Sequence, residues 1–228
     1  MNEIVRVLVV DDHLIVRQGL RLMLEEAGEG FALVGEAADA ETAMKLVHDL
    51  QPDVVLMDIR LPGLDGIEAL ERMRANSPHI AVLILTTYNE DALILRGLRA
   101  GACGYLLKDT TRDALFRAIR TAARGELLLQ PEMMTRALSH AERFTPAEPH
   151  RRYELALTER ERDVLVEVAR GKRSKEIALQ LGITENTVKG HLASIYGKLG
   201  VDSRASAVAI ALERGLLPRQ KDGRTASH

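Results

Sequence analysis

At 228 residues the chain has room for two modest domains or one large one, and an apolar fraction of 46% is enough for an ordinary core. Trp is absent and other aromatics are scarce, so the core must be aliphatic, and a base-stacking surface for single-stranded nucleic acid is disfavoured. The single Cys103 excludes an intramolecular disulfide framework and a multi-cysteine metal centre.

The formal charge of −2 hides an asymmetry. Residues 1–150 carry 16 Lys and Arg against 23 Asp and Glu, whereas residues 151–228 carry 15 against 10. An acidic half joined to a basic half predicts two jobs, with a polyanion as candidate partner of the basic one. The N-terminus enters a strand pattern with no basic leader or cleavage-site signal, and no apolar run approaches the roughly 18 residues of a spanning helix. Both features predict a cytoplasmic protein.

Arg6 to Val10 is a continuous apolar run, expected for a strand buried on both faces, and it leads into Asp11-Asp12-His13. Leu14 to Ala27 has helical spacing and stops at Gly28. Phe31 to Ala37 reads as a strand, and Asp39 to Leu50 as a helix capped by Asp39. Val54 to Met57 is a third strand that ends at Asp58. A helix over 66–76, a strand over 81–85, a helix over 91–100, a strand over 105–107 and a helix over 111–123 follow. Strict alternation predicts a doubly wound (βα)5 parallel sheet. The strands end in Asp11-Asp12, Asp58, Thr86 and Lys108, all at the carboxyl edge where open α/β sheets gather their chemistry.

Three carboxylates in one crevice repel unless a cation joins them. Oxygen ligands with room for phosphate suit Mg2+. A carboxylate beside that ion can attack a phosphoryl group, with a lysine neutralising charge on the group transferred. His13 is disfavoured as a ligand, because Mg2+ prefers oxygen. Arg60 and Tyr88 flank the crevice, either tuning the lifetime of an acyl phosphate or simply solvated.

On Val9-Val10-Asp11-Asp12, Met57 to Gly66, Leu85-Thr86 and Gly104 to Lys108, residues 4–125 resemble a response-regulator receiver domain. The resemblance implies that Asp58 is the phosphoacceptor, served by a sensor histidine kinase or a small acyl phosphate. It implies that Asp12 binds Mg2+, supported by Asp11, with the Arg60 carbonyl completing the protein ligands. Thr86 and Lys108 hold the phosphoryl group, and Tyr105 is the aromatic that swings inward after Thr86 moves. Phosphatases of the haloacid-dehalogenase type also use a strand-end Asp, but need a second Asp two residues on. That position is Arg60, which argues for a regulator rather than an enzyme.

Pro131 to His140 reads as a helical arm, and Thr145 to His150, with two prolines, as linker. The organisation predicted is 1–127, a linker over 128–152, an all-α four-helix domain over 153–217 and a tail over 218–228. Thr158-x-x-Glu161 is a capping box. Ser174 is a candidate cap for a second helix, Gly182-Ile183-Thr184 makes a tight turn, and a third helix spans 185–199. This is a helix-turn-helix arrangement. The third helix has an apolar stripe of Val188, Leu192, Ile195 and Leu199, and a polar, small-residue opposite side suited to a major groove. A fourth helix, 203–214, closes the domain.

On Leu157 to Glu161, Ser174 to Ala178, Thr187-Val188-Lys189-x-His191 and Lys198 to Val201, this half resembles the LuxR or NarL/FixJ output domain. The resemblance implies a homodimer, formed through the last helix, that reads an inverted repeat in promoter DNA. Its implied DNA contacts are Lys189, Ser174, Thr184, Thr187, His191 and Lys198, with Gly190 and Ala193 on the same surface. Relatives often carry larger side chains at those last two positions. Gly190 costs the helix about 1 kcal/mol relative to alanine. Either readout there relies on DNA shape, or the helix backbone approaches DNA closely.

Overall fold

The computed structural model describes residues 4–28, 30–87, 91–128 and 157–217. Strands β1 (Val5–Val10), β2 (Phe31–Ala37), β3 (Val54–Asp58), β4 (Ala81–Thr86) and β5 (Gly104–Leu107) alternate with five helices. These are α1 (Leu14–Glu26), α2 (Ala40–Leu50), α3 (Gly66–Asn76), α4 (Asp91–Arg99) and α5 (Arg112–Ala123). Every strand pair is parallel, in the order β2-β1-β3-β4-β5.

Side chains alternate across the sheet, as a strand period of two requires. Val7, Val9, Leu56 and Leu83 pack beneath Leu24, Leu115, Phe116 and Ile119 of α1 and α5. Leu8, Val10, Met57 and Ile84 face Val47, Leu70, Ile94 and Leu98 of α2, α3 and α4. With helices on both faces the strands are buried on both, which is why they read as unbroken apolar runs. The carboxylates of Asp39 and Asp65 and the hydroxyl of Thr111 cap α2, α3 and α5.

The second half comprises α6 (Glu159–Ala169), α7 (Ser174–Leu181), α8 (Glu185–Leu199) and α9 (Arg204–Glu213). The capping box is closed: Glu161 N donates to Thr158 Oγ1 (3.2 Å), and Thr158 N to Glu161 Oε2 (2.7 Å). Gly182 ends α7 in the left-handed region (φ 64°), which turns the chain into α8, capped by Thr184. Ser174 is not a cap. It is the first residue of α7, and Arg173 holds the capping position, its N–H bonded by the Glu176 carboxylate (2.7 Å). The Glu176 carboxylate thus serves the N–H of the capping residue itself, a different donor from those of the first turn that a serine cap would serve.

Helix α9 is buried on nearly all sides, from Arg204 to Leu212. One side closes the four-helix core on Val164, Val188 and Ile195. The other packs on α4 of the first half. The expected arm over 131–140, the linker over 145–150, Tyr88 and the tail lie outside the described residues. Among those described, no helix is long and apolar enough to cross a membrane.

Candidate functional site

The strand order reverses direction at β1, with β2 on one side and β3 on the other. Open α/β sheets bind ligands at such a switch point, outside the carboxyl ends of the strands. Val10 pairs with Met57, so the next residues, Asp11 and Asp58, emerge side by side. Both are nearly inaccessible, at 1% and 5% exposure. Lys108, which follows β5, reaches across to them: its Nζ lies 2.6 Å from Asp11 Oδ2 and 2.7 Å from Asp58 Oδ2. Burial opposes the ammonium charge, but the two carboxylates outweigh it and raise the Lys108 pKa. Asp58 Oδ1 also accepts from the Arg60 backbone N–H (3.2 Å). Thr86 is buried at the end of β4, and its carbonyl accepts from Lys108 N (3.0 Å).

Asp12 stands at the open rim of the pair. Ligand atoms of Asp11, Asp12, His13 and Asp58 all lie within 4.8 Å of one another. The donor set fits a hard divalent cation. Asp11 Oδ2 is buried with the Lys108 ammonium 2.6 Å away, a cation already drawn to the carboxylate pair. His13 comes closer to this group than its sequence position suggests. Its Nδ1 is 2.6 Å from Asp12 Oδ1: His13 holds the N-cap position of α1 without a side-chain capping bond, and its exposed ring lies over the rim.

Tyr105 was expected to swing inward on activation. It already stands inside, 1% exposed, its hydroxyl donating to the Leu93 carbonyl of α4. Burial pushes its phenol pKa up. The space exists because position 97 on α4 is glycine: a Cβ there would overlap the Tyr105 hydroxyl and meet Ile84 Cδ1 at 2.8 Å. Gly97 is a site residue that motif reading missed. A glycine inside a helix, facing the core rather than a turn, was the available signal.

In the second half, Val188, Leu192, Ile195 and Leu199 are buried as expected, and the opposite side of α8 is open to solvent. Thr184, Thr187, Lys189, Gly190 and Ala193 are exposed there, while His191 and Ser174 are half-buried. Lys189 Nζ leans back 3.0 Å onto Glu185 Oε1. The Thr184 and Thr187 hydroxyls are 2.8 Å apart in the cap. Lys198 differs from the other expected DNA contacts. Its Nζ is 2.7 Å from Oε2 of buried Glu161, which also accepts from Ser194 Oγ at 2.6 Å. That carboxylate ties α6 to α8. Burial alone would raise its pKa, but Lys198, Ser194 and Thr158 together hold it down to about 2.

The two halves meet at α4 and α9. Ser206 Oγ donates to the carbonyl of Arg99 (3.0 Å), in the last turn of α4 where carbonyls run out of intrahelical donors, and lies 3.4 Å from that of Leu98, which also accepts from Gly101 N. Arg99 pairs with Glu213, Arg74 with Asp202 (3.4 Å), and Arg173 with Glu126 (3.1 Å). Sequence reasoning found none of these contacts. They place α4 over the side of α9 that carries Ser206 and Glu213, and they leave α8 uncovered.

Comparison with known proteins agrees with both halves. Residues 7–120 match the response regulator receiver domain family, and residues 155–211 match the luxR family of bacterial regulatory proteins. Transcriptional regulatory protein YdfI of Bacillus subtilis is 44% identical over 93% of this chain and 97% of its own. The crystal structure of response regulator ChrA, of a heme-sensing two-component system, is 38% identical over 93% of this chain and 98% of that one, with a TM-score of 0.51. RcsB of Salmonella enterica serovar Typhimurium, solved bound to promoter rprA with a phosphomimetic, is 26% identical over 91% and 98%, with a TM-score of 0.51. The chain belongs to the two-component response regulators, those that join a receiver domain to a LuxR-type DNA-binding domain and so regulate transcription.

Proposed function

We propose that phosphorylation of Asp58 switches this regulator between a closed monomer and a promoter-binding homodimer. The observation that carries the reading is the buried pair Asp11 and Asp58, bridged by Lys108, with Asp12 at the rim beside them. An oxygen of Asp58 attacks the phosphorus of a phosphohistidine on a sensor kinase, or of a small acyl phosphate. The bond to the donor nitrogen or oxygen breaks as the acyl phosphate forms. Asp12 and Asp58, with Asp11 and the Arg60 carbonyl, would hold Mg2+, which when bound offsets phosphoryl charge. Lys108 and the Thr86 hydroxyl hold the phosphoryl oxygens. The reaction is a single self-modification, in keeping with a cytoplasmic regulator rather than a turnover enzyme.

Helix α4 carries the signal outward. Tyr105 grips it on the sheet side and Ser206 at its C-terminal end. A shift of Thr86 toward phosphate disturbs Tyr105 and α4, and α9 is released. An apolar helix freed from one partner needs another, and a second copy of the chain supplies the same surface. Two recognition helices then reach two half-sites.

Mass spectrometry after acetyl phosphate treatment should find one added phosphate, on Asp58. Promoter affinity should rise on treatment of wild type and not of Asp58→Ala. Equal affinities with and without the donor, in both proteins, would overturn the switch.

A further inference from the structure

Away from the carboxyl edge of the sheet, the two halves enclose a second cleft of about 230 Å3, several times the share of one water molecule. The first half lines it with Arg74, Cys103 and Glu126, and the second with Tyr196 and the residues that open α9. Ser203 caps that helix by accepting from Ser206 N (3.1 Å). The N–H groups of Arg204 and Ala205 belong to its first turn, which has no intrahelical acceptors and favours negative charge.

The side chain of Arg204 points to the same chemistry. The residue is 8% exposed, and its Nε is buried with no acceptor among the described residues, while a terminal nitrogen donates to the Lys172 carbonyl. A buried charged donor left unpaired is costly. Burial lowers the Arg204 pKa, with Tyr196 and Glu126 opposing the shift. Arg74 joins it from the end of α3, largely buried but loosely held, 3.4 Å from the Ile80 carbonyl and 3.4 Å from Asp202 Oδ2. Of the nearby carboxylates, Glu126 is matched by Arg173 (3.1 Å) and Arg124 (3.4 Å), and Asp202 is exposed. Two guanidinium groups and a helix start thus share one weakly engaged carboxylate.

We propose that this cleft binds a small phosphate-type dianion, inorganic phosphate or a phosphomonoester, held by Arg204 Nε, Arg74 and the first turn of α9. Guanidinium groups and helix starts both suit such oxyanions, and two cations match a double charge. Arg74 belongs to one half and Arg204 to the other, so the ion clamps the halves together with α9 engaged. That consequence rests on the closed-monomer reading above; the binding does not.

The test titrates the full chain, in chelator and without phosphodonor, with inorganic phosphate and with glycerol 3-phosphate. Succinate and sodium chloride at equal ionic strength are the comparators. The phosphate-type ions should saturably raise the melting temperature and slow the alkylation of half-buried Cys103, the only thiol in the chain. Arg74→Gln should weaken binding about tenfold, as loss of one charge-assisted hydrogen bond would. Arg204→Gln should do at least as much, and Arg74→Gln serves alone if that variant does not fold. Asp202→Asn, which removes the competing carboxylate, should tighten binding severalfold. A tighter ester identifies a phosphorylated metabolite as the ligand, and tighter inorganic phosphate the free ion. Succinate or chloride acting as strongly as phosphate, or binding unmoved by Arg74→Gln and Asp202→Asn, overturns the site. Faster alkylation of Cys103 on binding overturns the clamp. Saturating ion should also lower the promoter affinity of wild type and not of Arg74→Gln. Binding without that fall keeps the site and overturns its link to the closed monomer.

Discussion

The hydroxyl of Ser206 on α9 donates to the carbonyl of Arg99 at the end of α4, 3.0 Å away and across the junction between the two halves. One domain thus completes the hydrogen bonding of a helix in the other. A net hydrogen bond of this kind contributes about 1 kcal/mol. Ser206→Ala should loosen the junction, so DNA affinity without phosphodonor should rise about fivefold, with a larger radius of gyration in solution scattering. Affinity in the phosphorylated state should change little. A Ser206→Ala protein as compact and as weakly binding as wild type would remove Ser206 from the switch.

Gly97 and Tyr105 form the other grip on α4. Gly97→Ala forces a methyl into the space of the Tyr105 hydroxyl, an overpacking that costs roughly 1–3 kcal/mol. The receiver should melt lower, and Tyr105 should become more exposed, readable by tyrosine fluorescence quenching because the chain has no Trp. Tyr105→Phe keeps the packing and loses only the bond to Leu93, so its melting temperature should fall less. The reverse ranking would show that the hydroxyl, not the space, matters.

Lys108 neutralises two carboxylates buried beside it. Removing one partner of a buried ion group leaves charge uncompensated, at a cost of several kcal/mol. Lys108→Ala should therefore melt well below wild type in chelator. Added Mg2+ should recover more stability for the variant than for wild type, since ligand binding to the folded state stabilises by mass action. A variant whose melting point ignores Mg2+ would argue against a cation at Asp11, Asp12 and Asp58.

Glu161 sets an acid limit on the second half. Its folded pKa of about 2 lies below the usual 4.5, so its contribution to stability is complete above pH 4.5. That contribution is lost as pH falls toward 2, and amounts to roughly 2–3 kcal/mol. Glu161→Gln should be less stable at pH 7 and should flatten the loss between pH 4.5 and 2. Because Lys198 serves Glu161, Lys198→Ala should also lower stability, whereas Lys189→Ala should weaken DNA binding with little change in melting temperature. Equal pH profiles for wild type and Glu161→Gln would count against this pairing.

Much of the molecule was readable because its signals are local. Asp39, Thr158 and Thr184 are caps that the structure keeps to the residue. Strand ends carry Asp11, Asp58, Thr86 and Lys108 to one edge because parallel strands leave no other choice. The failures concern what lies across from a residue. Helical periodicity places Lys198 on the polar side but does not reveal buried Glu161, 37 positions earlier. Likewise, Ser206 and Arg99 are 107 positions apart, and no local pattern joins them. The inward rotamer of Tyr105 depends on Gly97, a dependence that shows only when helix and strand are assembled.

The open face of α8 has a kinetic consequence. With its recognition surface uncovered while α9 is engaged, the resting monomer of the proposed switch would still hold duplex DNA loosely through phosphate contacts and slide along it. Copies activated there would find their partners by one-dimensional diffusion along the same duplex. Pairing would then be quickest where the sequence already halts the slide.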